Sequence, residues 1–178
     1  MTSMTEGAGV AIVVMGVQGV GKSTIGAMLA ERLDVPFVDG DRLHPERNIE
    51  LMAAGTPLSD ADRDPWLREV GRTLRDGAAR GGIVVACSAL KREYRDLLRE
   101  FAPEVYIVEP YGDIELVTAR ISGRTHEYMP PELLQSQYDT LEPLGEDECG
   151  IRVDVAGTPR QILYRVIDDR SARKEESA

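Results

Sequence analysis

Between the apolar run VAIVVM (residues 10–15) and the amphipathic stretch STIGAMLAERL (residues 23–33) lies Gly16-Val17-Gln18-Gly19-Val20-Gly21-Lys22-Ser23. A short, continuous, β-branched run reads as a strand buried on both faces, and the apolar spacing after the turn is helical. A strand buried on both faces needs helices over both sides of a parallel sheet, so this one segment commits the chain to repeated βα units. The rest of the sequence supplies them. Further strands are expected at residues 35–38, 83–87, 105–108 and 151–155, and helices at 44–54, 62–80, 91–101, 113–122, 132–141 and 159–171. Asp62 and Pro65 read as the cap and early turn of the helix at 62–80. The expected architecture is α/β, three layers (α/β/α), around a five-stranded parallel sheet.

The turn itself fits G-x-x-x-x-G-K-[ST], with a strand before it and a helix after it. Glycines let the backbone curl so that several N–H groups face one concave point, and the helix N-terminus adds partial positive charge. Such a loop binds the phosphates of a nucleotide such as ATP. Gly16, Val17, Gln18, Gly19, Val20, Gly21, Lys22 and Ser23, with Thr24 behind them, are the candidate contacts. Lys22 would reach the β- and γ-phosphates, and the Ser23 hydroxyl would ligate Mg²⁺.

The chain has 178 residues, which suits one domain at about 10–171, with polar ends at 1–9 and 172–178 expected to be disordered or flexible. Its formal net charge of −10 argues against a nucleic-acid or anionic-membrane partner. No apolar run reaches transmembrane length, and the two cysteines, Cys87 and Cys149, lack metal-ligand spacing. A cytoplasmic protein with reduced thiols is the expectation.

Ligands of open parallel sheets bind beyond the carboxyl ends of the strands. VDGDRLHPERN (residues 38–48) follows the second strand, so Asp39 and Asp41 belong on the same rim as the phosphate loop. Transfer of a phosphoryl group needs an acceptor hydroxyl in line and a group to take its proton. Asp41 is the candidate base and hydroxyl ligand, and Asp39 the candidate partner of Mg²⁺. The alternative is that these carboxylates cap the following helix. His44 is a candidate hydrogen-bond donor to substrate, with Arg47 and Asn48 as weaker contacts. Strand three ends in Cys87-Ser88 rather than an Asp, which strengthens the case for Asp39 near the metal.

These stretches, with Gly55-Thr56-Pro57-Leu58, Asp60 to Leu67 (DADRDPWL), Cys87 to Lys91 (CSALK), Tyr94-Arg95-Asp96, LLQSQ (133–137) and Leu141-Glu142-Pro143, resemble the gluconokinase family in order over about residues 10–155. The resemblance implies a P-loop kinase fold with a helical lid region, related to shikimate and nucleoside monophosphate kinases. It implies transfer of the ATP γ-phosphate to the 6-hydroxyl of D-gluconate, with Mg²⁺, in a homodimer. Position and resemblance together make Lys91 and Arg95, at i and i+4, candidate contacts for the substrate carboxylate or a phosphate, and Gln137 a candidate substrate contact. Gly157-Thr158-Pro159, after the last strand, would line the base; Thr158 and Pro159 are the candidates there.

The resemblance also implies a lid at about 120–131, carrying Arg124, and Arg120 behind it, onto the transferring phosphate. Here the chain departs from the family: Thr125-His126-Glu127-Tyr128 stands where the pattern has Gly and His, and Leu51 stands where it has Lys. Competing readings are another small-metabolite kinase of the same fold, shikimate-type above all, and a nucleotide-binding module that transfers nothing.

Overall fold

A computed structural model describes residues 9–123 and 131–178. Five parallel strands, β1 Val10–Val14, β2 Phe37–Asp39, β3 Gly82–Ala86, β4 Tyr106–Tyr111 and β5 Gly150–Asp154, lie in the order β2-β3-β1-β4-β5. β1 is central, and Val13 pairs with Val85 on one side and Ile107 on the other. Seven helices cover the sheet: α1 Lys22–Leu33, α2 Glu46–Ala53, α3 Asp60–Ala79, α4 Arg92–Phe101, α5 Ile114–Ser122, α6 Pro131–Thr140 and α7 Pro159–Ser177.

Alternation along the strands divides the core into two layers. Ile12, Val14, Val84 and Val108 face α1 and α7, packing on Leu29, Leu33, Ile162 and Val166. Val13, Met15, Val85 and Ile107 face α3 and α4, packing on Trp66, Val70, Leu74 and Leu98. Buried aliphatic side chains of this size each contribute about 1.5–3 kcal/mol, so the scarcity of aromatics does not weaken the core.

Several boundaries differ from the sequence expectation: β4 runs to Tyr111 rather than 108, and two helices differ as well. α3 starts earlier: Ser59 caps it, its hydroxyl accepting from Asp62 N–H while Asp62 accepts from Ser59 N–H. This reciprocal box satisfies two end donors, so Asp62 lies inside the first turn and Pro65 inside the helix. The closing helix runs to Ser177 rather than 171. Met52, on α2, is exposed.

Candidate active site

The site is assembled at the carboxyl ends of β1, β2 and β3. After β1 the chain turns through Gly16, Gly19 and Gly21, all at positive φ, a conformation that costs glycine little. At Gly19 a Cβ would also lie 2.5 Å from Ile121. Val17 and Val20 bury their side chains in the core, which pins the loop while its backbone stays free for ligand. Gly16 N–H donates to Ser88 O at 3.1 Å, tying the loop to the end of β3. Lys22 Nζ donates to Val17 O at 3.0 Å. Ser23 and Thr24 stand exposed in the first turn of α1.

β2 delivers the carboxylates. Asp39 caps a 3₁₀ turn, Gly40–Leu43, its Oδ1 accepting from Asp41 N–H at 3.0 Å. Gly40 is buried so closely on β3 that a Cβ would lie 2.4 Å from Ala86 O, and Trp66 Nε1 donates to its carbonyl at 2.8 Å. That clamp fixes where Asp41 projects. The strand register sets the convergence: Val14 of β1 and Asp39 of β2 both pair with Ala86 at the end of β3. The phosphate loop and the carboxylates therefore leave the sheet at one rim.

His44 stacks on Trp66, ring centroids 4.2 Å apart and planes at 14°. Its Nδ1 lies 3.2 Å from Asn48 Nδ2, which also donates to Asp62 O at 2.9 Å. An amide NH₂ can only donate, so Nδ1 is the acceptor and the neutral ring carries its proton on Nε2. Burial lowers the His44 pKa, Asp41 opposes this, and Arg63 adds to it. His44 thus offers its Nε2–H as a donor, and its backbone N–H donates to the Asp41 carbonyl at 3.4 Å.

Arg63 is the residue sequence reasoning missed. Its Nη1 donates to Leu58 O at 2.7 Å, and its guanidinium lies 5.9 Å from the Tyr94 ring centre. Lys91 Nζ lies 5.5 Å from the same ring and 3.2 Å from Asp60. Two cations thus lie near one aromatic ring. The signal in the sequence was the acidic setting of Asp60-Ala61-Asp62-Arg63-Asp64, in which a surface ion pair is the simpler reading.

Arg95 corrects an expectation. It is 0% exposed. Nε and Nη2 donate to Glu148 at 2.8 and 2.9 Å, and Nη1 donates to Ala89 O at 3.0 Å. A guanidinium spent in this way inside the core holds the loop after α6 and is not offered to a ligand. Lys91, moreover, is the N-cap of α4 and not a helical residue, so the i, i+4 face does not exist. Arg47 is exposed and pairs with Asp62 at 3.7 Å.

Gln137, on α6, accepts from Gln18 N–H with its Oε1 at 2.7 Å. Arg120 donates to Val155 O at the end of β5. Beside it, Asp154, Ala156, Gly157, Gln161, Ile162 and Arg165 line a cavity of about 190 Å³. Thr158 and Pro159 are not among the lining residues: Thr158 caps α7 in a reciprocal box with Gln161, and Pro159 opens the helix. Arg124 and Thr125-His126-Glu127-Tyr128 lie outside the described residues.

The loop fits a triphosphate, since its glycines leave the backbone N–H groups approachable at a helix N-terminus. For Mg²⁺, no cluster of three or more His, Cys, Asp or Glu suited to a metal exists among the described residues. The exposed Ser23 hydroxyl and the Asp39 carboxylate are the oxygen donors that would hold Mg²⁺ beside the phosphates.

A glycine loop on the central strand, with a carboxylate and a lysine converging at the next strand, defines the class of P-loop kinases. Residues 18–170 match the shikimate kinase family model. The chain is 40% identical to the thermosensitive gluconokinase of Escherichia coli K12 over 182 residues, covering 96% of each. It is 43% identical to the gluconokinase of Gluconobacter oxydans, covering 88% of each. A crystal structure of a gluconokinase from Sinorhizobium meliloti superposes with a TM-score of 0.88 at 41% identity, over 96% of this chain and 97% of that one. Within the P-loop kinases, the chain belongs to the gluconokinase family.

Proposed function

We propose that this chain transfers the γ-phosphoryl group of ATP to the 6-hydroxyl of D-gluconate, giving 6-phospho-D-gluconate and ADP. The observation that carries the reading is that the phosphate loop after β1 and the Asp39–Asp41 turn after β2 leave the sheet at the same end, both strands pairing with Ala86 of β3.

Within this proposal each side chain has a role. Asp41 accepts the proton of the attacking hydroxyl and orients it. Lys22, released from Val17 O, moves onto the β- and γ-phosphates. His44 Nε2–H donates to a hydroxyl of the acceptor. Arg63 and Lys91, 5.9 and 5.5 Å from the Tyr94 ring centre, hold its carboxylate. A polyol acid needs carboxylate and imidazole partners at one end and cations at the other, and this site offers both. Ser23 and Asp39 would hold Mg²⁺, which supplies charge neutralisation on the phosphates when bound. Arg124, and Arg120 beside the base cavity, complete the positive charge around the transferring group. Homodimer formation and a cytoplasmic location belong to the same proposal and are tested by light scattering and by fractionation. No helix among the described residues is long and apolar enough to cross a membrane.

The test is product identity. Carbon and phosphorus NMR of the product formed from gluconate and ATP should show the phosphate coupled to carbon 6. Phosphate on another carbon would mean that the acceptor sits in a different register against Asp41.

A further inference from the structure

The phosphate loop is anchored at its base, through Gly16 N–H on Ser88 O, and at its exit, where Ile25 N–H bonds Gly21 O at 2.9 Å in α1. Its tip is held by the buried side chains of Val17 and Val20, but its backbone has few bonds of its own. Val20 N–H reaches Val17 O at 3.4 Å, and three glycines at positive φ leave the backbone with many accessible shapes. Among the described residues, a bond reaches the tip from a distant element: Gln18 N–H to Gln137 Oε1, between residues 119 apart in the chain.

α6 presents that oxygen firmly. Leu134 is buried beneath the helix. Tyr138 Oη donates to Gly112 O at 2.8 Å on one side. On the other, Glu142 N–H donates to Leu90 O at 2.8 Å, and Glu142 Oε2 accepts from Arg92 N–H at 2.6 Å. An acceptor held from three directions can fix the Gln18 peptide, and fixing one peptide restricts the turn through Gly19 to Gly21 that follows. A loop already shaped for its anion loses less freedom on binding it.

We infer that Gln137 is a positioning residue of the phosphate loop, setting the backbone N–H groups for the nucleotide through Gln18 rather than touching the acceptor. This rests on the loop binding ATP, and not on which acceptor is phosphorylated.

The experiment is Gln137→Met, which fills the same space without an acceptor oxygen, read by ATP binding to the full chain with Mg²⁺ and no acceptor present. Loss of one such bond should weaken ATP about tenfold. The KM for the acceptor at saturating ATP should not change, nor should the melting temperature, because Gln137 is only half-buried. Three results would overturn the inference. A raised acceptor KM with unchanged ATP binding would make Gln137 a substrate contact. A lowered melting temperature with both affinities intact would leave it a packing residue of α6. Tighter ATP binding would mean that the carboxamide competes with phosphate. A wild type that binds ATP but ignores gluconate would refute the proposed acceptor and leave this test intact.

Discussion

His44 and Trp66 stack at 4.2 Å, although one lies in the turn after β2 and the other inside α3. The contact joins the acceptor side of the site to the buried face of α3, because Trp66 is 2% exposed and also bonds Gly40 O. Trp66→Phe keeps a ring under His44 but leaves the Gly40 carbonyl unpaired. Chemical denaturation should show a loss of about 1–3 kcal/mol. Because Gly40 sets the projection of Asp41, the acceptor KM should rise while ATP affinity is unchanged.

The protonation state of His44 is open to direct measurement. Burial lowers its pKa, so the folded protein favours the neutral ring. A proton on Nδ1 would face the Asn48 amide donor at 3.2 Å. The stability from this arrangement is present above the unfolded pKa of about 6.5 and is lost as pH falls through the lower folded value. NMR titration of the imidazole should give a midpoint below 6.5, moving upward in Asn48→Ala. A midpoint above 6.5 would mean that the ring is a charged partner of Asp41.

Glu148 should govern acid stability. Burial alone would push its carboxyl up, but bonds from Arg95, Gly145 N–H and Arg99 outweigh this and hold it down at about 2. The stabilisation is complete above the unfolded value near 4.5 and disappears as pH falls towards 2, a span worth on the order of 3 kcal/mol. Denaturation curves across that window should be steep for wild type and shallower for Glu148→Gln. Arg95→Ala should destabilise at neutral pH by about 3–5 kcal/mol, since it strands a buried carboxylate. A soluble Arg95 variant with normal stability and a raised acceptor KM would restore the ligand role that burial denies it.

Asp41→Asn separates binding from transfer. The amide can still hold a hydroxyl but cannot take its proton. ATP affinity should be unchanged and kcat should fall by about 10²–10⁴-fold, the usual worth of general-base catalysis. Normal turnover in this variant would remove Asp41 from the chemistry.

The fold was legible because β1, the glycine turn and α1 carry different periods side by side, and each later strand repeats the contrast. The placement of Asp41 and His44 was legible because they follow β2, at the end of the sheet where open parallel sheets place ligands. The failures share a cause. Spacing on a helix says which residues share a face, not whether that face meets solvent or core. Lys91 and Arg95 looked like one exposed pair, whereas Glu148, 53 residues later, draws Arg95 inward. Arg63 lay in an acidic run that named no partner for it, because the Tyr94 ring beside it comes from another helix. The capping box of Ser59 and Asp62 was hidden by Pro65, which suggests a helix start to anyone reading along the chain.

The most direct test of the central claim is ADP release with Mg²⁺-ATP, comparing D-gluconate with shikimate, AMP, other sugar acids and no acceptor. The account predicts fast release with D-gluconate alone. Release driven by shikimate or another acceptor, with gluconate inert, would keep the phosphate loop and contradict the assignment of Asp41, His44, Arg63 and Lys91 to a gluconate site.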